Sequence, residues 1–478
     1  MYFYEVWVRS PAYRGIGPLT YHGSQRLAIG SVVTVSLQKT KVWAVVYRTV
    51  SRPQFKTKPI VAIADIPPLP EPLLTLATEI ATYYATPMGV VMQLILPADP
   101  EPKKSRGEHV VSSRKASVSK LPSLTTEQQE AVVHSSKPGT YLLHGKTGSG
   151  KTRVYIEKAR QAIAQDKSCI ILTPEISLTS QLAQQFRYVY GERVVILHSG
   201  LTPRERRDAW LNLLSSDTPK IVIGARSALF SPLQDIGLIV IDEAHEPAYK
   251  QEQAPYYHAV RVGSMLARMH QAVFILGSAT PTVADYYVAE QKAASILTMT
   301  ALATASDTSV RQLVVDLTDR SLLSRSRYLS DPLIAAIRGS LERREQSLLY
   351  LNRRGTARVI LCDQCGWQAL CPHCDLPLTY HADTHNVICH SCNFRGSVPV
   401  SCPECGNPSI VYKSAGTKSI VDEIERLFPE ARVQRFDTDN RKAERFEQHY
   451  EAVQKGDVDI LVGTQLLAKG LDLPKLST

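Results

Sequence analysis

Two groups of residues in this 478-residue chain have the types and spacing that chemistry requires. The first is Gly145, Lys146, Thr147, Gly148, Ser149, Gly150, Lys151 and Thr152, which fits G-x-x-x-x-G-K-[ST] throughout. Glycines at these places let backbone N–H groups converge on phosphate oxygens at a helix N-terminus. Lys151 is expected to reach β- and γ-phosphates, and the Thr152 hydroxyl to hold a magnesium ion. Asp242 and Glu243, in the string Asp-Glu-Ala-His, follow an apolar run and would stand at a strand's C-terminal end, where phosphates bind in parallel sheets. Asp242 is the expected magnesium partner and Glu243 the expected general base for an attacking water. Alone, the first run could be a glycine-rich turn and Asp242 a helix cap. In this order and spacing they predict a nucleoside triphosphate site, with ATP and Mg2+ as cofactors.

The second group is cysteine. Eight of the nine cysteines form four C-x-x-C pairs: Cys362/Cys365, Cys371/Cys374, Cys389/Cys392 and Cys402/Cys405. In a large chain without a secretory signal, such clustering means metal ligands rather than disulfides. Four thiolates close one tetrahedral zinc site, so eight predict two structural Zn2+ ions. Only five residues separate Cys365 from Cys371, whereas fourteen separate Cys374 from Cys389. This favours a nested arrangement, the inner pairs on one ion and the outer pairs on the other; an interleaved arrangement stays open. Gly366, Asp375, Asn393 and Gly406 follow the four pairs, and all three residue types tolerate the left-handed backbone of a metal-binding turn. His373, His381, His385 and His390 are read as non-ligands, because eight cysteines already satisfy two ions. Cys169, alone in an apolar run, reads as a buried strand residue.

These residues need a scaffold. From residue 140 onward, short apolar runs (141–143, 170–172, 194–197, 221–223, 238–241, 273–276) alternate with amphipathic stretches, the pattern of a parallel sheet covered by helices. A second such region starts near 347 and resumes after the cysteines, with its last clear strand at 458–462. The expected fold class is α/β, with two RecA-like parallel-sheet lobes, the second interrupted by a two-zinc insertion. The β-branched runs 31–35 and 42–46 predict a small, mostly β module before them, with a helix over 73–84. The expected boundaries are 1–97 for this DNA-binding module, 98–123 for a basic linker and 124–300 for the first, ATP-binding lobe. The second lobe then covers 301–361 and 406–478, around the zinc-binding insertion at 362–405.

The formal charge of +10 favours a polyanionic partner such as nucleic acid. No apolar run reaches the roughly 18 residues of a membrane span, and the N-terminus lacks a charged start before an apolar stretch, so the expected location is cytoplasmic.

The acidic box and phosphate loop resemble those of superfamily 2 helicases, as do Gly277-Ser278-Ala279-Thr280, the run 172–179, and the segment 463–470 with Thr464 and Lys469. Leu197-His198-Ser199-Gly200-Leu201, the string GARSALF at 224–230, Leu351-Asn352-Arg353-Arg354-Gly355 and the cysteine insertion resemble the PriA family of replication-restart helicases. That resemblance implies an ATP-dependent 3′-to-5′ DNA helicase at stalled forks that starts primosome assembly. Its implied partners are branched and single-stranded DNA, single-stranded DNA-binding protein and primosome proteins. It also favours the nested zinc pairing and implies adenine reading by Gln128, which equally reads as part of a helix start. Thr464 and Lys469 become DNA and nucleotide contacts. An aromatic-rich loop after the acidic box, with Tyr249, Lys250, Tyr256 and Tyr257, is expected to stack on unpaired bases and couple DNA contact to hydrolysis; packing of these tyrosines against the first lobe is the alternative. A pocket for a DNA 3′ end is implied at 18–21, with Thr20 where the family carries an acidic residue. The family's arginine-rich motif, winged-helix region and C-terminal domain have no counterpart strings here, so a truncated chain that binds ATP and hydrolyses it poorly is expected. A fork-DNA scaffold without efficient hydrolysis, or another superfamily 2 translocase, is the alternative reading.

Overall fold

The computed structural model describes residues 1–99, 122–174, 176–198, 200–291, 295–303, 311–317, 319–326, 328–351, 359–362, 364–381, 386–389, 391–408, 410–413, 417–436, 452–463, 473 and 475–478. The second-lobe segment at 464–470, with Thr464 and Lys469, lies outside them, as do the string 352–355, His385, His390 and most of the basic linker. The chain forms two compact units, Met1–Asp307 and Thr308–Thr478. Among the described residues, no helix is long and apolar enough to cross a membrane.

The first unit opens with a closed five-stranded barrel: β1 (Tyr2–Val8), β2 (Leu19–Gly23), β3 (Val32–Leu37), β4 (Thr40–Val50) and β5 (Lys58–Ile63), in the order β1-β2-β5-β3-β4. Alternation decides which face is inward: Tyr4, Val6 and Val8 of β1 are buried with Val33, Val35, Ala44 and Val46. Thr20 pairs directly with Glu5 across the β1–β2 register, and Glu5 with Arg48 across β1–β4, so the three share the outer face. Helices α1 (Glu71–Tyr83) and α2 (Met88–Ile95) follow. Their apolar residues, among them Leu76, Ile80, Met92 and Ile95, belong to one core with Trp210, Phe230 and Tyr257 of the next domain. Trp210 Nε1 donates to the Ile95 carbonyl at 3.0 Å, and the His258 N–H to Tyr84 Oη at 3.0 Å. The barrel module is thus anchored to the first lobe through a shared interior.

That lobe runs α3 (Thr126–His134), β6 (Gly139–Gly145), α4 (Lys151–Ala164), β7 (Ser168–Leu172), α5 (Ile176–Tyr190), β8 (Val194–Leu197), α6 (Pro203–Leu214), β9 (Ile221–Gly224), β10 (Ile236–Ile241), a two-strand ribbon of β11 (Lys250–Gln251) and β12 (Tyr257–His258), α7 (Ala259–Met269), β13 (Val273–Ser278), α8 (Val283–Glu290) and β14 (Ile296–Met299). Its seven strands are ordered β14-β6-β13-β10-β7-β9-β8 and all pair in parallel. Sandwiched strands need apolar residues on both faces, and Cys169, Ile170, Ile171 and Leu172 of β7 are all fully buried. Cys169 is therefore a strand residue, and burial pushes its thiol far above the ordinary range.

In the second unit, α9 (Asp331–Glu342) precedes β15 (Ser347–Tyr350). The cysteine region follows, with β16 (Val359–Cys362), β17 (Thr379–His381), β18 (Asn386–Ile388), β19 (Arg395–Ser397) and β20 (Ile410–Lys413) in an antiparallel sheet β19-β18-β17-β16-β20. Its entering and leaving strands pair along their length, Val359 opposite Lys413 and Cys362 opposite Ile410, so the region leaves and rejoins the lobe at one place. The lobe resumes with α10 (Thr417–Leu427), β21 (Val433–Phe436) and β22 (Ile460–Gly463), which form a parallel sheet β15-β22-β21. Ile334, Ile337, Ile420, Ile424 and Ile460 make its core.

Candidate nucleotide and metal centres

The phosphate loop leaves the carboxyl end of β6, two strands from β10, which ends at the acidic box. Gly148 and Gly150 take left-handed φ values of 81° and 80°, closed to most side chains, and Lys151 opens α4. Lys151 is buried, and its Nζ donates to the Gly145 carbonyl at 2.9 Å, folding the ammonium back over the loop. The loop is pinned from outside by Lys146 N–H to Met299 O (3.0 Å) and Ala303 N–H to Gly148 O (2.9 Å). Glu127 fixes the same post-β14 segment, accepting from Thr300 Oγ1 at 2.7 Å and Ala301 N–H at 3.0 Å.

Gln128 completes a capping box with Thr125, accepting the Thr125 N–H at Oε1 (3.1 Å), while its Nε2 donates to the Ser149 carbonyl at 3.1 Å. It is 2% exposed. The helix-start reading is realised, and the amide faces the phosphate loop.

The acidic box is tied to the strands on both sides of β10: Asp242 N–H donates to Leu172 O of β7 and Ala244 N–H to Gly277 O of β13, both at 2.9 Å. Between them Glu243 adopts a φ of 47°, a left-handed conformation that non-glycine residues keep only where neighbours enforce it. Tyr155 of α4, fully buried, donates its hydroxyl to Asp242 Oδ1 at 2.9 Å. A Cβ at Gly277 would collide with that hydroxyl, so this glycine is required for the contact. Burial and the neighbouring Glu243 charge push the Asp242 carboxyl up to about 6, against the pull of Tyr155 and Lys151. A buried acid beside a second carboxylate, within the field of a lysine, favours a cation. Such a donor set, with the Thr152 hydroxyl two residues into the loop helix region, fits a magnesium–phosphate ligand. His245 joins the next motif, its Nδ1 2.8 Å from Ser278 Oγ and 3.5 Å from Glu243 Oε2.

The aromatic-rich loop divides differently from the sequence expectation. Tyr249 is 1% exposed, and its hydroxyl donates to the carbonyl of Asp242 at 2.5 Å. Tyr257 is 3% exposed and packs edge-on against Phe230, ring centroids 5.2 Å apart. Base stacking by these two is therefore corrected: they hold the loop to the lobe. Tyr256, 55% exposed, and the exposed Lys250 remain open to a ligand. Arg226, from GARSALF, fastens the loop's start by donating to Ala248 O (2.6 Å) and Lys250 O (3.1 Å). Neither this anchor nor Tyr155 was singled out from the sequence. Tyr155 lies in the helix that the phosphate loop opens, four residues past Lys151, and that spacing was the one signal available.

The cysteines form two four-thiol clusters, Cys362, Cys365, Cys402 and Cys405 in one and Cys371, Cys374, Cys389 and Cys392 in the other. This is the nested pairing. Sulfur separations of 3.4–3.7 Å are far too long for disulfides and match the edge of a zinc–thiolate tetrahedron, about 3.8 Å for Zn–S bonds of about 2.3 Å. Each knuckle closes alike: the N–H of Gly366, Asp375, Asn393 and Gly406 donates to the carbonyl of the pair's first cysteine at 2.9–3.0 Å, with φ between 53° and 78°. Backbone N–H groups, first that of Cys365, lower the Cys362 thiol, and those led by Cys392 lower Cys389, whereas Cys365, Cys374, Cys392 and Cys405 are raised, so each cluster sets a readily formed thiolate beside thiols that a metal would have to deprotonate. His373 packs edge-on against Phe394 instead of joining a cluster.

Three family models match separate parts of the chain. The model of the PriA 3′ DNA-binding domain (3′BD) matches residues 5–97, that of the DEAD/DEAH box helicase residues 125–287, and that of the PriA DNA helicase Cys-rich region (CRR) domain residues 371–395. The replication restart protein PriA of Bacillus subtilis (strain 168) is 37% identical over 362 residues, 74% of this chain and 45% of that protein. That of Rickettsia conorii is 32% identical over 461 residues, 94% of this chain and 69% of that protein. The chain spans about half the length of its Bacillus subtilis and Haemophilus influenzae relatives (45% and 49%). Among solved structures, RecG bound to a three-way DNA junction covers 74% of this chain and 38% of its own, with 16% identity and a TM-score of 0.44. Likeness to the Rickettsia protein along nearly the whole of this sequence, through barrel, lobes and cysteine knuckles alike, means that the chain belongs to the PriA family of replication restart proteins.

Proposed function

We propose that the chain binds Mg–ATP at the carboxyl edge of its seven-stranded sheet and couples hydrolysis to 3′-to-5′ movement on DNA at stalled replication forks, as a first step towards primosome assembly. The observation that carries this reading is the half-buried Asp242–Glu243 pair, tied through Tyr155 to the helix that the phosphate loop opens and through Tyr249 to the aromatic-rich loop. Lys151 would leave the Gly145 carbonyl to neutralise β- and γ-phosphate charge. Thr152 and Asp242 would hold the magnesium ion, which supplies further charge neutralisation on the phosphates. Glu243, aimed by its enforced backbone, would orient and deprotonate the attacking water. Gln128 would meet the adenine with the N–H and lone pair its present bonds leave over. Tyr256 and Lys250 are the loop residues open to unpaired bases, and movement there would reach Asp242 through the Tyr249 hydroxyl. Thr464 and Lys469 would add DNA and nucleotide contacts from the second lobe. The two zinc ions are structural, because four thiolates close each site. Branched and single-stranded DNA are the expected substrates, with single-stranded DNA-binding protein and primosome proteins as partners.

The test is ATP hydrolysis and strand separation by the 478-residue chain on forked DNA, compared with Glu243→Gln. DNA-stimulated hydrolysis lost in the variant, with nucleotide binding kept, supports the motor. Nucleotide and fork binding without hydrolysis would favour the scaffold reading.

A further inference from the structure

A loop containing Gly145, Gly148 and Gly150 has little conformational preference of its own, because glycine gives up more backbone freedom on ordering than any other residue. Something outside the loop must hold it. Part of that hold comes from the chain that leaves β14. At its last residue, Met299, the carbonyl accepts the Lys146 N–H at 3.0 Å. Residues 300–303 then stay against the loop instead of turning away. Ala303 N–H donates to the Gly148 carbonyl at 2.9 Å. A Cβ built on Gly148 would stand 3.3 Å from Leu302 Cδ2, and one on Gly150 would stand 3.1 Å from Ala303 Cβ. Segment 299–303 is thus a strap that touches the loop at Lys146, Gly148 and Gly150.

Burial does not keep the strap in place, since residues 300–303 are all exposed. Among the described residues, Glu127 is the side chain bonded to it. Each carboxylate oxygen takes one donor: Oε1 accepts from Thr300 Oγ1 at 2.7 Å and Oε2 from the Ala301 N–H at 3.0 Å. The Ala301 N–H, then the Thr300 hydroxyl, hold the Glu127 carboxyl below the usual range, so it is ionised at neutral pH and both bonds are charge-assisted. An acidic residue in a helix's first turn needs no more explanation than the helix dipole. Two bonds to a segment more than 170 positions away go beyond that. The helix that carries Glu127 is itself fixed at its far end. Lys158 of α4 is buried and its Nζ donates to the Ser135 carbonyl at 2.8 Å. Since the phosphate loop opens α4, the circuit closes: loop, α4, α3, Glu127, strap, loop.

We propose that Glu127 is a positioning residue for the phosphate loop. Through the strap it holds Gly148 and its neighbours in the conformation that receives β- and γ-phosphates, while Gln128, next to it, serves the base. The proposal rests on the nucleotide reading above and divides the work of two consecutive residues: one presets the loop for phosphate, the other meets adenine. The strap also begins the segment that leads out of the first unit, which ends at Asp307, so Glu127 fixes where that segment leaves the nucleotide edge.

The test measures binding of mant-ATP and mant-GTP, each with Mg2+, to the full chain. Removing a negative charge near phosphates would by Coulomb attraction alone tighten binding. Glu127→Gln should instead weaken both nucleotides about tenfold, the low end for bonds to a charged acceptor at an exposed place. Thr300→Val should weaken both about threefold, and Thr300→Ser, which keeps the hydroxyl, should bind as wild type. Thr300 is exposed, so its variants probe the contact without emptying a packed site. The double variant Glu127→Gln/Thr300→Val should bind no worse than Glu127→Gln alone, because the two residues share one interaction. Gln128→Ala should differ in kind, narrowing the preference for ATP over GTP. Unchanged or tighter binding in Glu127→Gln, or losses that simply add in the double variant, overturn the strap and leave the nucleotide site standing. A changed base preference in Glu127→Gln overturns the loop role in favour of base reading. Failure of the wild-type chain to bind either analogue overturns the nucleotide reading itself.

Discussion

The nucleotide edge of the first lobe and the cysteine insertion are both small polar sites, but they are organised by opposite means. At the nucleotide edge, seven strands with buried apolar residues on both faces hold the loop and the acidic box, and hydrogen bonds from Tyr155, Tyr249 and Gln128 set the functional groups before any ligand arrives. The insertion has strands of three or four residues and a core of Ile360, Ala369, Leu378 and Val387 closed by two of its own cysteines, Cys371 and Cys389. Cores this small do not offset chain entropy without a staple. One site is preorganised by packing and the other is organised by its metal, so the two should respond independently to perturbation.

Removing zinc breaks the comparison most strongly. Each structural site contributes on the order of 10 kcal/mol to local folding. Chelation should release two zinc ions per chain and abolish amide protection across the insertion, while Mg–ATP binding by the first lobe persists; hydrogen exchange and a zinc-release titration read both. Next in size is Tyr257→Ala, which should destabilise the first lobe by about 3–5 kcal/mol in denaturant unfolding, because it empties a packed site against Phe230. Tyr155→Phe should cost about 1.5–3 kcal/mol of stability through loss of a buried hydrogen bond to a carboxylate, and should lower Mg–nucleotide affinity while zinc content stays at two. Tyr256→Ala should leave unfolding unchanged and weaken single-stranded DNA binding by about 1–3 kcal/mol for one lost stack. Equal effects of Tyr256→Ala and Tyr257→Ala on both readouts would erase the distinction between an open and an anchored tyrosine.

What was legible in the sequence was whatever chemistry confines to a short segment. The phosphate loop and the knuckles repeat fixed spacings because a phosphate or a metal needs several donors from one turn, and the left-handed Gly366, Asp375, Asn393 and Gly406 were visible in residue type alone. The parallel strands were visible as apolar runs, but their order was not, since it depends on pairings between distant segments. The aromatic-rich loop was misread for the same reason. Tyr249 and Tyr257 look as available as Tyr256 until the Asp242 carbonyl and Phe230 are brought beside them.

The central claim is that Lys151, Thr152, Asp242 and Glu243 serve one magnesium–nucleotide. Titration of a fluorescent ATP analogue into the chain, with and without Mg2+, beside Lys151→Ala, tests it directly. Saturable, magnesium-dependent binding that falls by at least about 10²-fold in the variant is expected, the scale for loss of a positioned charged donor. Binding that ignores magnesium, or that survives Lys151→Ala unchanged, would contradict it.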